Sequence, residues 1–235
     1  MLLKVVNLAP YGSSPSGLVG LLETWAAVDT RAPRQDWAEH WSAWLGPLDA
    51  IALSTALPEI RNAGATAPEA GKKQAVDIAQ LLQQLQDDLT RFVRLIPAPQ
   101  RSSLRSVPMP QAVTEPVVEE DYGSYRQRYL DIQRRFELRI DPLRQHCRQV
   151  LSQASPRLRQ LAQLDATLET MLMPRTQALL ATLAVLLERR FHRYRQNESL
   201  PMADFEQDFQ AALVAELHFR LEPVTGLVEA WRTGA

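Results

Sequence analysis

The chain has little of what disulfide frameworks, metal sites and phosphate-binding loops are made from. It contains one cysteine in 235 residues, which excludes an internal disulfide and any cysteine-ligated zinc site. Nine glycines leave few places where the backbone could approach a phosphate closely, and no glycine-rich phosphate loop or dinucleotide fingerprint occurs. The four histidines do not repeat the Glu-x-x-His spacing of carboxylate-bridged metal bundles. We therefore expect no metal and no cofactor.

Neither sign of charge is in excess. The net charge of -1 excludes a globally basic nucleic-acid-binding protein, although it leaves local basic patches open. Only three of the 26 basic residues are lysines, so the positive charge is carried almost entirely by arginine. Arginine makes planar bidentate contacts that lysine cannot make.

Long hydrophobic runs are also missing. The longest apolar stretch, residues 178–187, is interrupted by Thr182. It is much shorter than the roughly 20 residues of a membrane-spanning helix. The N-terminal segment MLLKVVNLAP has too short an apolar core for a signal peptide. We predict a cytoplasmic protein without direct membrane insertion, and an association with the inner membrane through partners stays open.

What the chain does have is a hydrophobic stripe with spacings of three and four, typical of one side of a long helix. Its members are Tyr122, Tyr125, Tyr129, Ile132, Phe136, Ile140, Leu143, Cys147 and Val150. An isolated helix owes most of its stability to packing of such a face, so the stripe must be covered. The cover could be residues 73–96 and 156–195 of the same chain, or a second copy in a homodimeric coiled coil. The sequence leaves both open.

No segment shows a convincing alternation of polar and apolar residues, which is the pattern typical of strands, so we predict an all-α fold. It should comprise a small N-terminal helical module and a C-terminal bundle of long amphipathic helices. Prolines and polar stretches predict a module at 1–57, a linker at 58–72, a long helix at 73–96, a proline-rich acidic linker at 97–121, a helical bundle or coiled-coil-like region at 122–222 and a tail at 223–235.

Prolines also predict the helix boundaries within the bundle. Ser155-Pro156 has the form of a helix start, with the serine as cap and the proline in the first turn. Pro174 is expected to begin another helix and Pro223 to end the last main one. Pro142 should kink or break the helix that carries the stripe.

Residues 122–160 carry nine arginines and three acidic residues, a local charge of +6. Such a helix could lie along a phosphate backbone, with its tyrosines stacked on unpaired bases. The tyrosines belong to the apolar stripe, however, which favours a core position, and the arginines would then be solvated or paired with acids of a neighbouring helix. Tryptophan is enriched in binding hot spots. The candidate partner-binding residues are Arg126, Arg128, Arg134, Arg135, Arg139 and Trp231.

Nothing in the sequence predicts an enzyme. No Gly-x-Ser-x-Gly elbow is present, and the acidic cluster expected of a nuclease is missing. Cys147 falls on the hydrophobic stripe, where a thiol behaves as a small apolar residue.

Several segments have a familiar form. They are Ser16-Gly-Leu-Val-Gly-Leu-Leu, Trp41-Ser-Ala-Trp-Leu-Gly, Leu48-Asp-Ala-Ile-Ala-Leu, Tyr125-Arg-Gln-Arg-Tyr-Leu, Pro142-Leu-Arg and Leu186-Leu-Glu-Arg-Arg-Phe. Together they resemble an uncharacterised proteobacterial family classed only as a domain of unknown function. The resemblance implies genes beside membrane proteins similar to the MotA/MotB stator and OmpA-like proteins, as in Zorya-type antiphage defence loci.

The resemblance thus implies a non-enzymatic helical adaptor of a membrane-associated, motor-like complex, and it implies no catalytic residues. The alternative is a nucleic-acid-binding effector that uses the arginine-rich helix at 122–160. Protein partners, among them a coiled-coil protein or a second copy of the chain, are expected ahead of nucleic acid.

Overall fold

The computed structural model describes residues 17–29, 46–65, 77–96, 121–197 and 199–234. Within these ranges the chain forms six α-helices and no strand, which confirms the all-α prediction. The helices are α1 (Gly17–Asp29), α2 (Pro47–Ala65), α3 (Ile78–Leu95), α4 (Tyr122–Ala154), α5 (Pro156–Gln196) and α6 (Met202–Thr233). The proline-rich linker predicted at 97–121 lies outside the described residues except for its last position.

Side-chain caps set the start of two helices. Asp77 precedes α3 and accepts hydrogen bonds from the backbone N–H groups of Ala79 and Gln80, at 3.0 and 3.2 Å. Ser155 caps α5 by accepting from the N–H of Leu158 at 3.2 Å, and Pro156 occupies the first turn, as predicted. Because Ser155 alone separates α4 from α5, the two helices form a tight antiparallel hairpin.

Two predicted boundaries are wrong. Helix α5 continues through Pro174 instead of beginning there, and α6 continues through Pro223 as far as Thr233. Most of the segment expected to be a tail is therefore helical. An interior proline removes one backbone hydrogen bond and costs about 3 kcal/mol. Beyond Pro223 the helix buries Val224, Leu227 and Val228, and burying an aliphatic side chain gains about 1.5–3 kcal/mol, which offsets that cost.

Two further prolines lie inside helices. Helix α2 contains Pro58 and extends to Ala65, so residues 58–65 of the predicted linker are helical. Helix α4 passes through Pro142 without a break. The helix predicted at 73–96 is observed as α3, of which residues 77–96 are described.

Helix α6 is the centre of the bundle, because it packs against α1, α3, α4 and α5. Helix α2 packs along the first half of α5, where Arg175 forms an ion pair with Asp49. Helices α1 and α2 thus both rest on the long helices of the C-terminal bundle. The residues between them, 30–45, lie outside the described part of the chain.

The stripe of α4 is buried by other helices of the same chain. Tyr122, Tyr125, Tyr129, Ile132, Phe136, Ile140 and Cys147 are all buried, and Leu143 and Val150 are partly buried. Tyr125 meets Phe205 and Phe209 edge to face, with ring centroids 5.0 and 5.5 Å apart. Helices α3, α5 and α6 provide the cover, so a second copy is not needed to bury this face.

Candidate functional site

Arg128 of α4 is held inside the bundle. Its guanidinium donates two hydrogen bonds to Glu206 of α6, at 2.8 and 2.6 Å, and a third to the carbonyl of Ile96 at 3.0 Å. It also lies 4.9 Å from the ring centroid of Phe209. With its side chain only 10% exposed, Arg128 joins α4, α6 and the end of α3, and it is not presented to a partner.

Two more of the candidate arginines hold α3 against α4. The Arg135 guanidinium stacks on the ring of Phe92, 3.8 Å from its centroid. Arg139 lies 3.7 Å from Asp88, with both side chains about half exposed. An exposed pair of this kind stabilises by about 0–1 kcal/mol. Both arginines are thus engaged within the chain, Arg139 only loosely.

Nearer the C-terminal end of α4, two arginines join this helix to α5 through a network of four charged side chains. Arg144 donates to both carboxylate oxygens of Asp165, at 2.9 and 2.6 Å, and to Glu169 at 2.9 Å. Arg148 donates to Asp165 at 2.7 Å and lies 2.8 Å from Glu169. The two positive and two negative charges balance, so this part of α4 presents no free basic patch.

A buried carboxylate fixes α4 against α6. Glu216 has no exposed surface, and it accepts hydrogen bonds from the Tyr129 hydroxyl at 2.9 Å, the Gln133 amide at 3.1 Å and Arg220 at 2.8 Å. Gln133 also donates to the Tyr129 hydroxyl at 2.7 Å. Burial, followed by the charge of Glu216, raises the pKa of Tyr129 above its usual range. The carboxylate is fully satisfied, and its role is to set the packing of two helices.

The remaining arginines of α4 form part of an outward ridge. Arg126, Leu130, Arg134 and Leu138 follow one another at intervals of four residues, and all are exposed. The two leucines are 47% and 67% exposed. Arg126 and Arg134 make no hydrogen bond or ion pair with any residue that the structure describes. We call these four residues the α4 ridge.

Trp231 lies in the last turns of α6 instead of a tail. It is partly buried and packs against the core. The structure therefore brings Arg126 and Arg134 together on one ridge, and it places Trp231 on a different helix.

The bundle also contains a cleft of about 600 Å³ between α4, α5 and α6. We call it the central cleft. Its apolar lining consists of Ile140, Leu168, Leu172, Met173, Leu180, Phe219 and Pro223. The residue before each interior proline of these three helices, namely Asp141, Met173 and Glu222, also lines it. The cleft therefore lies beside the three positions at which α4, α5 and α6 each lack a backbone N–H donor, because the residue there is proline.

Two carboxyl groups at the cleft have no partner among the described residues, Asp141 of α4 and Glu222 of α6. Burial against the cleft, then the charges of Glu169 and Glu137, raise the pKa of Asp141. Burial alone raises the pKa of Glu222. Both groups stand at the rim, where neighbouring side chains partly desolvate them and solvent still reaches them. The sequence did not predict this cleft, and the one signal for it is the recurrence of an interior proline in three successive long helices.

Cys147 is buried on the α4 stripe, as its position predicted. Burial, followed by the charge of Asp165, raises the pKa of its thiol to about 11. Thiol reagents attack the thiolate, and a rise from 9.0 reduces the thiolate population about a hundredfold at neutral pH.

We therefore expect an aromatic disulfide reagent at pH 8 to leave Cys147 unmodified in native buffer and to modify it stoichiometrically in denaturing urea. Absorbance of the released thiolate measures both reactions. Complete modification of the native protein within minutes would show that the thiol is accessible, contrary to the packing of α4.

Within the described ranges, no three side chains of His, Cys, Asp or Glu come together in a way that could hold a metal ion. Helix α5 is long and apolar enough to cross a membrane by length and composition, with an 18-residue window of mean hydropathy 1.4. A core helix meets the same criterion, and α5 contributes Leu183 and Leu187 to the core. Only 22% of that window is buried, so α5 presents apolar surface outward.

Comparison with known proteins finds a family model that matches most of the chain. This family model is described as "Protein of unknown function (DUF3348)" and matches residues 8–233. This confirms the predicted resemblance at the level of an uncharacterised domain. No curated protein and no solved structure matches the chain.

Proposed function

The chain belongs to the DUF3348 family, which is described as of unknown function, and we propose from its geometry that it is a non-enzymatic helical adaptor. The α4 ridge is the surface through which it docks onto a partner protein. The observation that carries this proposal is that α4 turns one row of leucines and arginines outward, while its other arginines contact side chains of neighbouring helices in the same chain.

The form of the α4 ridge suits a helical partner. Side chains four residues apart form the ridge that packs into the groove of another helix in the commonest class of helix packing. Leu130 and Leu138 expose apolar surface that a partner would remove from water. Arg126 and Arg134 are free to pair with carboxylates on that partner.

The partner proposed is therefore an acidic amphipathic helix. The family resemblance supports placing that helix in a membrane-associated complex similar to MotA/MotB, within an antiphage defence locus. In this proposal the chain is cytoplasmic and reaches the inner membrane through its partner.

Nucleic-acid binding is the less favoured reading of the same arginines. Affinity for a phosphate backbone grows with the number of phosphates that are neutralised. Of the five candidate arginines, Arg128, Arg135 and Arg139 contact groups within the chain, which leaves Arg126 and Arg134 on the α4 ridge. Two arginines interleaved with exposed leucines suit a protein surface better than a phosphate backbone.

The test is affinity capture from the native host, followed by direct binding of the purified captured protein. The double variant Leu130→Ser/Leu138→Ser and the charge reversal Arg126→Glu/Arg134→Glu should each weaken binding at least roughly tenfold, a loss of about 1.4 kcal/mol. The matched control is Ile51→Ser, which changes an exposed apolar residue of α2 and should leave binding unchanged.

Support requires that the captured protein carry an acidic amphipathic helix. Equal binding by the native chain and both ridge variants would contradict the proposal. Binding of DNA by the purified chain that falls steeply with salt and is lost in Arg126→Glu/Arg134→Glu would favour the nucleic-acid alternative instead.

A further inference from the structure

The central cleft has the dimensions of a small-ligand site. Its volume of about 600 Å³ lies within the range of about 300–1,000 Å³ in which proteins bind small organic molecules. Ile140, Leu168, Leu172, Leu180 and Phe219 supply apolar walls from three helices. The cleft is bounded by α4, α5 and α6, and its volume suits a compact ligand.

The guanidinium groups around the cleft are already neutralised. Arg144 binds Asp165 and Glu169, and Arg220 binds the buried Glu216 and lies 3.5 Å from Glu137. No arginine at the cleft is left to attract an anion.

Two carboxylates remain without a partner among the described residues, and they come from different helices. Asp141 precedes Pro142 on α4, and Glu222 precedes Pro223 on α6. The unbalanced charge of the cleft is thus negative, and it sits at the rim of an apolar space. A ligand that complements this cleft carries a positive group attached to an apolar body.

The backbone supplies one further acceptor. Pro223 has no N–H to donate to the carbonyl of Phe219, which is the α-helical acceptor four residues earlier. Both residues line the cleft. The N–H groups of an ammonium or guanidinium ion need several acceptors when water is removed, and carboxylates together with a carbonyl meet that need.

We propose that the central cleft binds a small organic cation, an ammonium or guanidinium carried on an apolar body. The apolar part contacts Leu172, Leu180 and Phe219, and the charge lies between Asp141 and Glu222. This site is separate from the α4 ridge and does not rest on the adaptor role.

Binding should depend on pH in a defined direction. The pKa values of Asp141 and Glu222 are raised, and a cation favours their ionised forms. Glu137 and Glu169 add negative charge near Asp141, while Arg144 and Arg220 oppose it. Affinity should therefore rise as the pH increases through the range in which Asp141 and Glu222 ionise, and it should level off above that range. Binding at mildly acidic pH should release protons.

The experiment is calorimetric titration of the full chain at pH 8 with octylamine, octanol and octanoate, which share an apolar chain and differ in the charge of the head group. Octylamine should bind at least roughly tenfold more tightly than octanol, and octanoate should not bind. The variant Asp141→Asn/Glu222→Gln should remove the preference for octylamine. Glu229→Gln, an exposed acid of α6 outside the cleft, is the matched control and should bind as the native chain does.

Circular dichroism and the unfolding midpoint establish that each variant is folded, which is expected because neither acid takes part in an ion pair. Equal affinity for the three probes, no binding of octylamine, or unchanged octylamine affinity in Asp141→Asn/Glu222→Gln would each overturn the proposal. These results leave the test of the α4 ridge unaffected, since that test measures a different surface.

Discussion

Replacing Glu216 by alanine is expected to destabilise the chain by about 3–5 kcal/mol, the range for removing one partner of a buried ion pair. The carboxylate has no exposed surface, and its loss leaves the Tyr129 hydroxyl without its acceptor. Gln133 keeps only the Tyr129 hydroxyl, and Arg220 keeps only Glu137, at 3.5 Å. The measurement is urea unfolding followed by far-ultraviolet circular dichroism.

The comparison variant for Glu216 is Tyr129→Phe, which removes one donor and leaves the carboxylate paired with Arg220 and Gln133. It should cost about 1.5–3 kcal/mol, the usual range for one hydrogen bond to a charged group. A loss below about 1 kcal/mol for Glu216→Ala would mean that α4 does not rest on α6 in the way described.

Truncating the centre of the α4 stripe should have an effect of similar size. Phe136 is fully buried, and Phe136→Ala is expected to cost about 3–5 kcal/mol, because it removes apolar contacts and leaves a cavity between α4 and its neighbours. The measurement is again the free energy of unfolding in urea.

Leu138 offers a control on the same helix, two residues away and 67% exposed. Leu138→Ala should change the free energy of unfolding by less than about 0.5 kcal/mol. Similar losses for Phe136→Ala and Leu138→Ala would show that the buried and exposed faces of α4 have been assigned incorrectly.

The sequence predicted α4 well because its signal is local. Spacings of three and four residues identify the buried face whatever covers it, and Tyr122 to Cys147 all follow that rhythm. The start of α5 was also predictable, since Ser155 and Pro156 are neighbours in the chain and act within one turn. Such features need no knowledge of the tertiary structure.

The prolines misled the prediction because their effect depends on packing that the sequence does not display. Pro174 and Pro223 are unfavourable inside isolated helices, and only the burial of residues beyond them keeps α5 and α6 continuous. The residues that precede Pro142, Pro174 and Pro223 line the central cleft, which no single proline indicates.

The arginines show the same limit. Arg128 and Arg144 belong to one basic segment, yet their partners Glu206 and Asp165 lie 78 and 21 residues away along the chain. Only the folded arrangement separates arginines that bind internal carboxylates from the two that stand on the α4 ridge. A count of charges in the segment therefore overestimated its free positive charge.

The central claim is that the stripe of α4 is covered by the chain's own helices, so that its opposite face is the one offered to a partner. Hydrogen exchange of the α4 backbone amides, followed by mass spectrometry at high protein concentration and after strong dilution, tests it most directly. If the chain's own helices cover the stripe, amides near Ile132 and Phe136 exchange only by global unfolding, at a rate that does not change on dilution. Exchange that accelerates on dilution would show instead that a second copy covers the stripe.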